Sequence, residues 1–402
     1  LTQEFQAELA TLGTRVDNLE GRVGFLEDNQ FSTTTKLTGS VAMAQVLPFG
    51  DNKAVPPGAT PGAAGEVEEN VGFIYQANIK FDTSFSGRDK LRIDFLAADI
   101  GNEPAGFQQD ATGAPLTELF DIFERTPDNS FVLDELSYTF PVGDSIEVAI
   151  GASGGSDFPP DKVFESNFGI GGNLNDLILQ GDLDTRQGGG RTIDIGSPGQ
   201  LGAGISTRFD LTDRISLGAG YTVDQDKASD SDIGLFQEYS VAANLNYAGD
   251  HFDVGINYGR TRAGTAPSED ITHDAVGLSG GIRLGSRTEV GGWVTYVDQS
   301  SFDTDRDGWA FGANLAFFDL GKEGSKLALG LASPAFFEDF DGTGSTNFVN
   351  EEDRAYVAEL SYAYPINDNI SITPGLTAVF NPLRDSDNDT VYTGVIQTTF
   401  SF

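Results

Sequence analysis

Residues 71–83 read VGFIYQANIKFDT, and their apolar and polar side chains alternate with a period of two. Phe73 and Tyr75 would lie on one face of a strand, with Gln76 and Asn78 on the other. Successive side chains of a β-strand point to opposite faces, so this strand has one apolar face and one polar face. The same alternation recurs along most of the chain, and it indicates an all-β protein.

The alternation predicts sixteen strands. We expect them at 33–47, 71–83, 89–100, 131–140, 144–153, 200–210, 213–224, 236–248, 251–261, 272–284, 288–298, 307–319, 325–333, 353–364, 368–380 and 389–402. Between them, short turns alternate with eight longer loops, at 48–70, 101–130, 154–199, 225–235, 262–271, 299–306, 334–352 and 381–388. A membrane barrel with short turns at one end and long loops at the other has this alternation.

The polar face distinguishes a membrane barrel from soluble β-sandwiches. Sandwiches need apolar side chains from both sheets in their core. Here the second face carries Lys80, Arg92, Arg208 and Arg283, which suit a water-filled lumen. The chain ends in Phe402 on an aromatic strand, and this resembles the signal by which bacterial outer-membrane barrels are recognised for insertion. We therefore predict a transmembrane sixteen-stranded antiparallel β-barrel over residues 31–402.

Residues 1–30 have a different period, close to 3.5. Apolar residues recur at spacings of three and four, and the unit Arg-Val-x-x-Leu-Glu occurs twice. This predicts an α-helical coiled coil whose oligomerising residues are Leu9, Leu12, Arg15, Val16, Leu19, Glu20, Arg22, Val23, Leu26 and Glu27. Val at heptad position a with Leu at heptad position d favours a two-stranded coiled coil. The duplicated unit, however, resembles parallel three-stranded coiled coils, and we prefer the three-stranded form. The alternative is one amphipathic helix packed on its own domain.

Composition excludes several classes of function. The formal net charge is −37, which argues against nucleic acid, because phosphate binding needs clustered Lys and Arg. Cysteine is absent, and the two histidines, His251 and His273, are far apart in the predicted topology. No run of about 18 apolar residues predicts a transmembrane helix. No catalytic motif is present, so we expect no enzyme activity and no obligatory cofactor.

The third long loop, 154–199, is the longest, and a loop of this length in a compact barrel is either functional or disordered. General porins fold their third loop into the barrel as a constriction, and this loop resembles it in position and length. Its acids are Asp157, Asp161, Glu165, Asp176, Asp182 and Asp184. Facing the wall bases Lys80, Arg92, Arg208 and Arg283, they would set a transverse field across a narrow pore. A lid on the outer surface is the alternative.

The acidic loops also suggest a weak calcium site. Asp303, Asp305 and Asp307 follow the opening spacing of an EF-hand loop, but position twelve would be Asn314 and a strand follows. We therefore reject an EF-hand and keep two interpretations, a loosely held calcium ion and a solvated acidic surface. Divalent cations could also bridge such loops to lipopolysaccharide.

The whole pattern resembles the major outer-membrane porins of cyanobacteria, within the carbohydrate-selective porin family. The resemblance rests on the heptad segment, the first strand Thr35-Lys36-Leu37-Thr38-Gly39-Ser40-Val41, acidic Gly-rich loops and the terminal Phe402. It implies an outer-membrane homotrimer with a periplasmic stalk and a narrow channel that favours small inorganic ions. Family members carry an N-terminal S-layer homology domain that binds peptidoglycan-linked polymer. We expect that segment to precede Leu1, whether flexible or cleaved.

Two other functions stay open at this stage. The chain could be a tether between outer membrane and cell wall, with an incidental or plugged pore. It could also be a substrate-specific uptake channel for sugars or iron. Specific sugar pores line their path with aromatic residues, whereas the aromatic side chains here are predicted to face lipid.

Overall fold

The computed structural model describes residues 34–101, 111–114, 130–153, 203–223, 225–263, 271–301, 304–342 and 353–402, together with Leu12 and Arg15. Sixteen antiparallel strands form one closed barrel in these ranges, and the predicted fold class is confirmed. The strands are β1 Thr35–Phe49, β2 Gly72–Thr83, β3 Lys90–Asp99, β4 Val132–Val142, β5 Ile146–Ser153, β6 Ala203–Thr212, β7 Ile215–Val223, β8 Tyr239–Ala248, β9 Phe252–Ala263, β10 Ile271–Arg283, β11 Thr288–Ser301, β12 Thr304–Phe318, β13 Lys326–Gly342, β14 Tyr356–Asn367, β15 Ile370–Phe380 and β16 Val391–Ser401.

The barrel closes where the two ends of the chain meet. Each strand pairs with its neighbours in sequence, and β1 pairs with β16 from Ser40 opposite Ser401 to Phe49 opposite Tyr392. The terminal residue completes this seam, because Gly39 N donates to Phe402 O at 2.8 Å and Phe402 N donates to Gly39 O at 3.0 Å. Each strand of the closed sheet therefore has a paired neighbour on both sides, and a membrane-spanning sheet requires this.

The convex face of the barrel is apolar. Leu245, Ile256, Leu278 and Leu360 project from its middle and are each exposed by roughly half. Aromatic pairs flank this band at both ends. Towards the long loops lie Phe49–Tyr392, Tyr221–Tyr239 and Tyr296–Trp309, and towards the short turns lie Phe85–Tyr138, Tyr247–Phe252 and Tyr362–Tyr364. An apolar band between two aromatic girdles is the outer surface of a transmembrane barrel.

Two predicted loops differ from the structure. Residues 334–342, expected to open the loop 334–352, instead continue β13 to Gly342. The loop 299–306 is wrong as well. We expected residues 299–306 to form a long loop, but β11 runs to Ser301 and β12 starts at Thr304. The acidic residues that suggested a loop lie in paired strands, with Asp298 opposite Asp307 and Ser300 opposite Asp305. They face outward beyond the aromatic girdle, where charge is hydrated, and inward-facing Gln299 and Arg306 pair beside them. Long and short connections therefore do not alternate strictly.

Most connections at the other end are short turns, and the one after β2 is organised by a carboxylate. Asp89 accepts hydrogen bonds from Ser86 Oγ at 2.5 Å, Ser86 N at 2.7 Å, Ser84 Oγ at 3.0 Å and Tyr138 OH at 2.9 Å. These donors, the Ser86 hydroxyl foremost, hold the pKa of Asp89 well below its usual range against the opposing effect of desolvation. The turn therefore carries a fixed negative charge throughout the physiological pH range.

Helices are short in the described part of the chain. The helix α1 covers Gln225–Ala228, and a 3-10 turn covers Pro382–Arg384. None of the helices described is long and apolar enough to cross a membrane.

The predicted coiled coil falls almost wholly outside the described residues. Leu12 and Arg15 are helical and exposed, and the other eight predicted oligomerising residues are not described. The stalk at 1–30 and its trimeric assembly stay predictions.

The closing seam gives a stability prediction. A Cβ at Gly39 would lie 2.6 Å from the Phe402 ring and 2.7 Å from Asn78 O, so Gly39→Ala must displace one of them. Such overpacking costs about 1–3 kcal/mol. We expect the heat-induced loss of the compact band on SDS gels to occur at a lower temperature.

The matched control for this seam is Gly394→Ala. A Cβ there would lie 3.8 Å from its nearest neighbour, Leu47 O, so the folded barrel should tolerate it. Equal unfolding temperatures for the two variants would contradict the importance of the Gly39–Phe402 contact.

Candidate functional site

The concave face of the barrel is polar and forms the wall of a lumen. Cross-strand register places Lys80, Arg92, Arg208 and Arg283 on this face, where the sequence predicted wall bases. Asn, Ser and Thr side chains occupy many of the remaining inward positions. Examples are Asn78, Ser137, Ser206, Asn244, Asn257, Ser279 and Thr377, and each of them is buried.

The bases of β2 and β3 are paired with acids of the wall itself. Arg92 donates to Asp82 through Nε at 2.7 Å and Nη2 at 2.8 Å, and its Nη1 lies 3.7 Å from Glu135 Oε2. Lys80 Nζ lies 3.2 Å from Asp94 Oδ2. The side chains of Asp94 and Glu135 are each 1% exposed, and a carboxylate with so little contact with water depends on a nearby cation.

The other two bases have wall partners as well. Arg283 forms an ion pair with Asp253, and its Nε lies 3.4 Å from Glu289 Oε1. Arg208 donates through Nε to Asp210 Oδ1 at 3.0 Å and stands opposite Glu147 in the sheet. The predicted partners, the six acids of loop 154–199, lie outside the described residues. The role of loop 154–199 as the constriction of the pore therefore stays a prediction.

Two other loop segments contact the inner wall. Val67, in the loop after β1, and Ala114, in the loop after β3, belong to one buried apolar cluster with side chains of β10–β16. The wall members are Ala275, Trp293, Val297, Ala310, Ala332, Ala335, Phe337, Val357, Val379 and Val391. The long-loop end of the lumen is therefore occupied on its β10–β16 side by residues of the first and second loops.

The two loop segments are joined to each other by main-chain hydrogen bonds. Ala54 N donates to Thr112 O at 2.8 Å, and Glu68 N donates to Ala111 O at 3.0 Å. Gly113 makes this approach possible, because it has φ +74° and a Cβ there would lie 2.3 Å from Ala54 O. No residue with a side chain could adopt that position without moving the loop.

The last loop holds this assembly in place. Asn388 Oδ1 accepts from Val55 N at 2.9 Å, while its Nδ2 donates to Val55 O at 2.8 Å and Pro382 O at 2.9 Å. Next to it, Asn52 Nδ2 donates to Asp389 Oδ2 at 2.8 Å. We call Asn388 and Asp389, with the Asn52 and Val55 groups that they bind, the loop clasp.

The inward apolar residues of the later strands are a sequence signal for this arrangement. The inward face is polar on most strands, yet Ala275, Val297, Val357, Val379 and Val391 place apolar groups there. Such a patch on a wet wall indicates a covering segment. The prediction that aromatic side chains face lipid is also wrong for Trp293 and Phe337, which face inward and are only 4% and 7% exposed.

The proposed calcium site is described only in part. Asp305 and Asp307 lie on the outward face of β12, and Asp303 is not described. No group of three or more His, Cys, Asp or Glu side chains positioned for a metal ion exists among the residues that the structure covers. Calcium binding stays a prediction.

Relatives of this chain come from cyanobacteria. It is 30% identical to an uncharacterized protein of Nostoc sp., aligned over all of this chain and 71% of the relative. It is 28% identical to an uncharacterized protein of Synechocystis sp., over all of this chain and 75% of the relative.

Solved porins share the fold at low identity. The high-pH structure of OprB from Pseudomonas putida has a TM-score of 0.62 at 9% identity, covering 96% of this chain and 97% of that one. An anion-selective porin from Comamonas acidovorans has a TM-score of 0.57 at 11% identity, covering 92% of this chain and 99% of that one. The trimer form of OmpT from Vibrio cholerae has a TM-score of 0.55 at 11% identity, covering 92% of this chain and 100% of that one.

The family model described as carbohydrate-selective porin, OprB family, matches residues 1–402. The closed barrel, with its apolar convex face and polar lumen, agrees with this match to a porin family. The chain belongs to the OprB family of carbohydrate-selective porins, and it is a channel-forming β-barrel of the bacterial outer membrane.

Proposed function

We propose that this porin is a passive diffusion channel for small hydrophilic solutes, inorganic ions foremost, and that loop segments narrow its lumen. The supporting observation is the buried cluster that joins Val67 and Ala114 to the wall of β10–β16. Covering one side of the lumen with apolar contacts removes that side from the water-filled path. Solutes then pass along the remaining wall, which carries ion pairs and Asn, Ser and Thr side chains.

The paired charges of the wall support permeation by ions of both signs. Lys80, Arg92, Arg208 and Arg283 all have carboxylates near them, so the described wall does not present a one-signed surface. A pore selects ions by the charge on its lining, and a lining that carries both signs selects less strongly than a lining of one sign. Loop 154–199, if it also enters the lumen, would add acids and favour cations.

A sugar-uptake channel is the second candidate, because the family description names carbohydrate selectivity. The described residues do not favour it, since Trp293 and Phe337, the inward aromatic residues of the apolar cluster, are buried against that cluster. Homotrimeric assembly through the stalk belongs to the same proposal, and the trimer form of a structural neighbour supports it.

Reconstitution distinguishes the candidates. In planar bilayers we expect discrete conductance steps in KCl, and in liposome swelling assays we expect disaccharides to enter far more slowly than small ions and monosaccharides. Negligible conductance would support a tether and contradict the channel. Free entry of disaccharides would contradict an ion-selective constriction.

The loop clasp gives a mutational test. Asn388→Ala removes three hydrogen bonds, worth about 1 kcal/mol each, and frees the segment around Val55. We expect larger and noisier single-channel conductance, while a compact band on SDS gels shows that the barrel still folds.

The control for the clasp is Asn369→Ala. Its Nδ2 also donates to a main-chain oxygen, Ser401 O at 2.7 Å, but at the short-turn end of the barrel. It should conduct like the wild type. Wild-type conductance in Asn388→Ala as well would show that the first loop does not narrow the pore.

Wall charge gives a prediction with a definite sign. Arg92→Gln leaves Asp82 and Glu135 without their arginine, so reversal potentials in a KCl gradient should shift towards cation selectivity. A unit charge at 4 Å in water is worth about 1 kcal/mol, which limits the change in permeability ratio to about fivefold.

Two variants check this interpretation. Arg92→Gln combined with Asp82→Asn should return the reversal potential towards the wild-type value. Arg88→Gln, in an exposed turn beside Asp144 at 3.4 Å, should not change it. A shift of equal size in Arg88→Gln would mean that net charge, rather than the lumen wall, sets selectivity.

A further inference from the structure

The convex face of the barrel has an apolar groove across β12–β15, with a volume of about 500 Å³. Its outward lining consists of Ala313, Leu315, Leu329, Leu331, Ala358, Leu360, Leu376 and Ala378. Leu329, Leu331, Leu360 and Leu376 are among the exposed side chains of the barrel, so the groove opens to the membrane and not to the lumen.

The cross-strand register explains why the surface is sunken here. Ala313, Leu331, Ala358 and Ala378 form one row across the four strands, and Leu315, Leu329, Leu360 and Leu376 form the next row towards the short turns. On the long-loop side, Phe311 and Tyr356 stand above the alanines with their rings 6.4 Å apart. Three alanines between bulky rows leave a trough that only an apolar body can fill inside the hydrocarbon layer.

An arginine stands at the outer end of this trough. Arg354 lies two residues before the start of β14 and on the same outward face as Tyr356 and Ala358. Its Nη1 donates to Trp309 O at 2.7 Å and to Ser333 Oγ at 3.2 Å. Its Cζ lies 5.3 Å from the Phe311 ring centroid and 5.0 Å from that of Phe336. The guanidinium is therefore held in place at the level of the aromatic girdle.

The charge of Arg354 has no counterpart among the described residues, since no carboxylate in those ranges lies within ion-pair distance of it. Arg260, another outward arginine near the long loops, differs in this respect, because its Nη2 lies 3.4 Å from Asp274 Oδ2. The two hydrogen bonds of Arg354 use Nη1 alone, and a guanidinium has five N–H donors. The remaining donors suit an acidic group at the membrane surface.

We propose that this groove binds one anionic lipid of the outer leaflet, with an acyl chain along the alanine row and its acidic headgroup on Arg354. The guanidinium contacts Phe311, which lies two residues, about 7 Å along the strand, from Ala313. One lipid molecule can therefore contact both the Arg354 guanidinium and the trough at Ala313. A second copy of the chain fits less well, because a convex barrel wall cannot enter a trough between the leucine row and the rings of Phe311 and Tyr356.

Native mass spectrometry of the porin in detergent tests this. Phosphatidylglycerol and phosphatidylcholine with the same acyl chains serve as probes, and the fraction of lipid-bound protein is measured for each. We expect the wild type to bind phosphatidylglycerol more tightly. Arg354→Gln should weaken phosphatidylglycerol binding by about tenfold and leave phosphatidylcholine unchanged, since only a charge-assisted contact is lost.

Filling the trough should have a different effect. Ala358→Phe, or the milder Ala378→Leu, should reduce the binding of both lipids, because the acyl chain loses its place. The matched controls are Ala243→Phe, an exposed outward alanine of β8, and Arg260→Gln, whose charge is already paired. Both should bind lipid like the wild type.

Three outcomes would overturn the proposal. Lipid binding in Arg354→Gln could keep the wild-type preference for phosphatidylglycerol. Ala358→Phe and Ala378→Leu could bind lipid as well as Ala243→Phe does. The trough variants could also lower the oligomeric mass, which would make the groove an interface between copies of this chain. Compact migration on SDS gels identifies which variants are folded.

Discussion

Every strand of this barrel must find a partner on both edges, and the last pairing, β1 with β16, determines everything else. In a hydrocarbon layer an unpaired strand edge exposes N–H and C=O groups that nothing can satisfy. Closure also fixes which way each side chain points, because a sheet closed on itself has one convex and one concave face. The alternation in the sequence then becomes two separate surfaces, an apolar one for lipid and a polar one for water.

The polar surface has its own constraint, which is charge. Inward carboxylates such as Asp94 and Glu135 have almost no contact with water, and they are tolerated because Lys80 and Arg92 lie beside them on neighbouring strands. The buried acids of the wall therefore have basic partners in the wall itself, before any loop is added. The loop segments around Val67 and Ala114 make apolar contacts with the inner wall. The part of the wall that they cover consists of apolar side chains.

Much of the fold could be predicted, because strands and turns are encoded locally. The alternation at 71–83 corresponds to β2 at Gly72–Thr83, and the terminal strand was expected at 389–402 and lies at Val391–Ser401. The strands β11 and β12 were predicted, but the tight outer end of their hairpin was not. Residues 299–306 were expected to form a long loop, because acidic residues such as Asp305 are typical of loops, and only the pairing of Ser300 with Asp305 shows that they lie in a sheet.

The site was harder to predict than the fold. Which loop enters the lumen depends on contacts between segments hundreds of residues apart, such as Val55 with Asn388, and no local pattern reports such a contact. The inward-facing valines of β14–β16 indicate in the sequence that this part of the wall is covered. They do not indicate which loop segment covers it.

The loop clasp also imposes an order on assembly. Asn388 and Asp389 come immediately before β16, whereas the segment that they hold follows β1. That segment cannot be fastened until the final strand has reached the first. Closure of the wall therefore comes first, and the fastening of the first loop at the long-loop end of the lumen follows it.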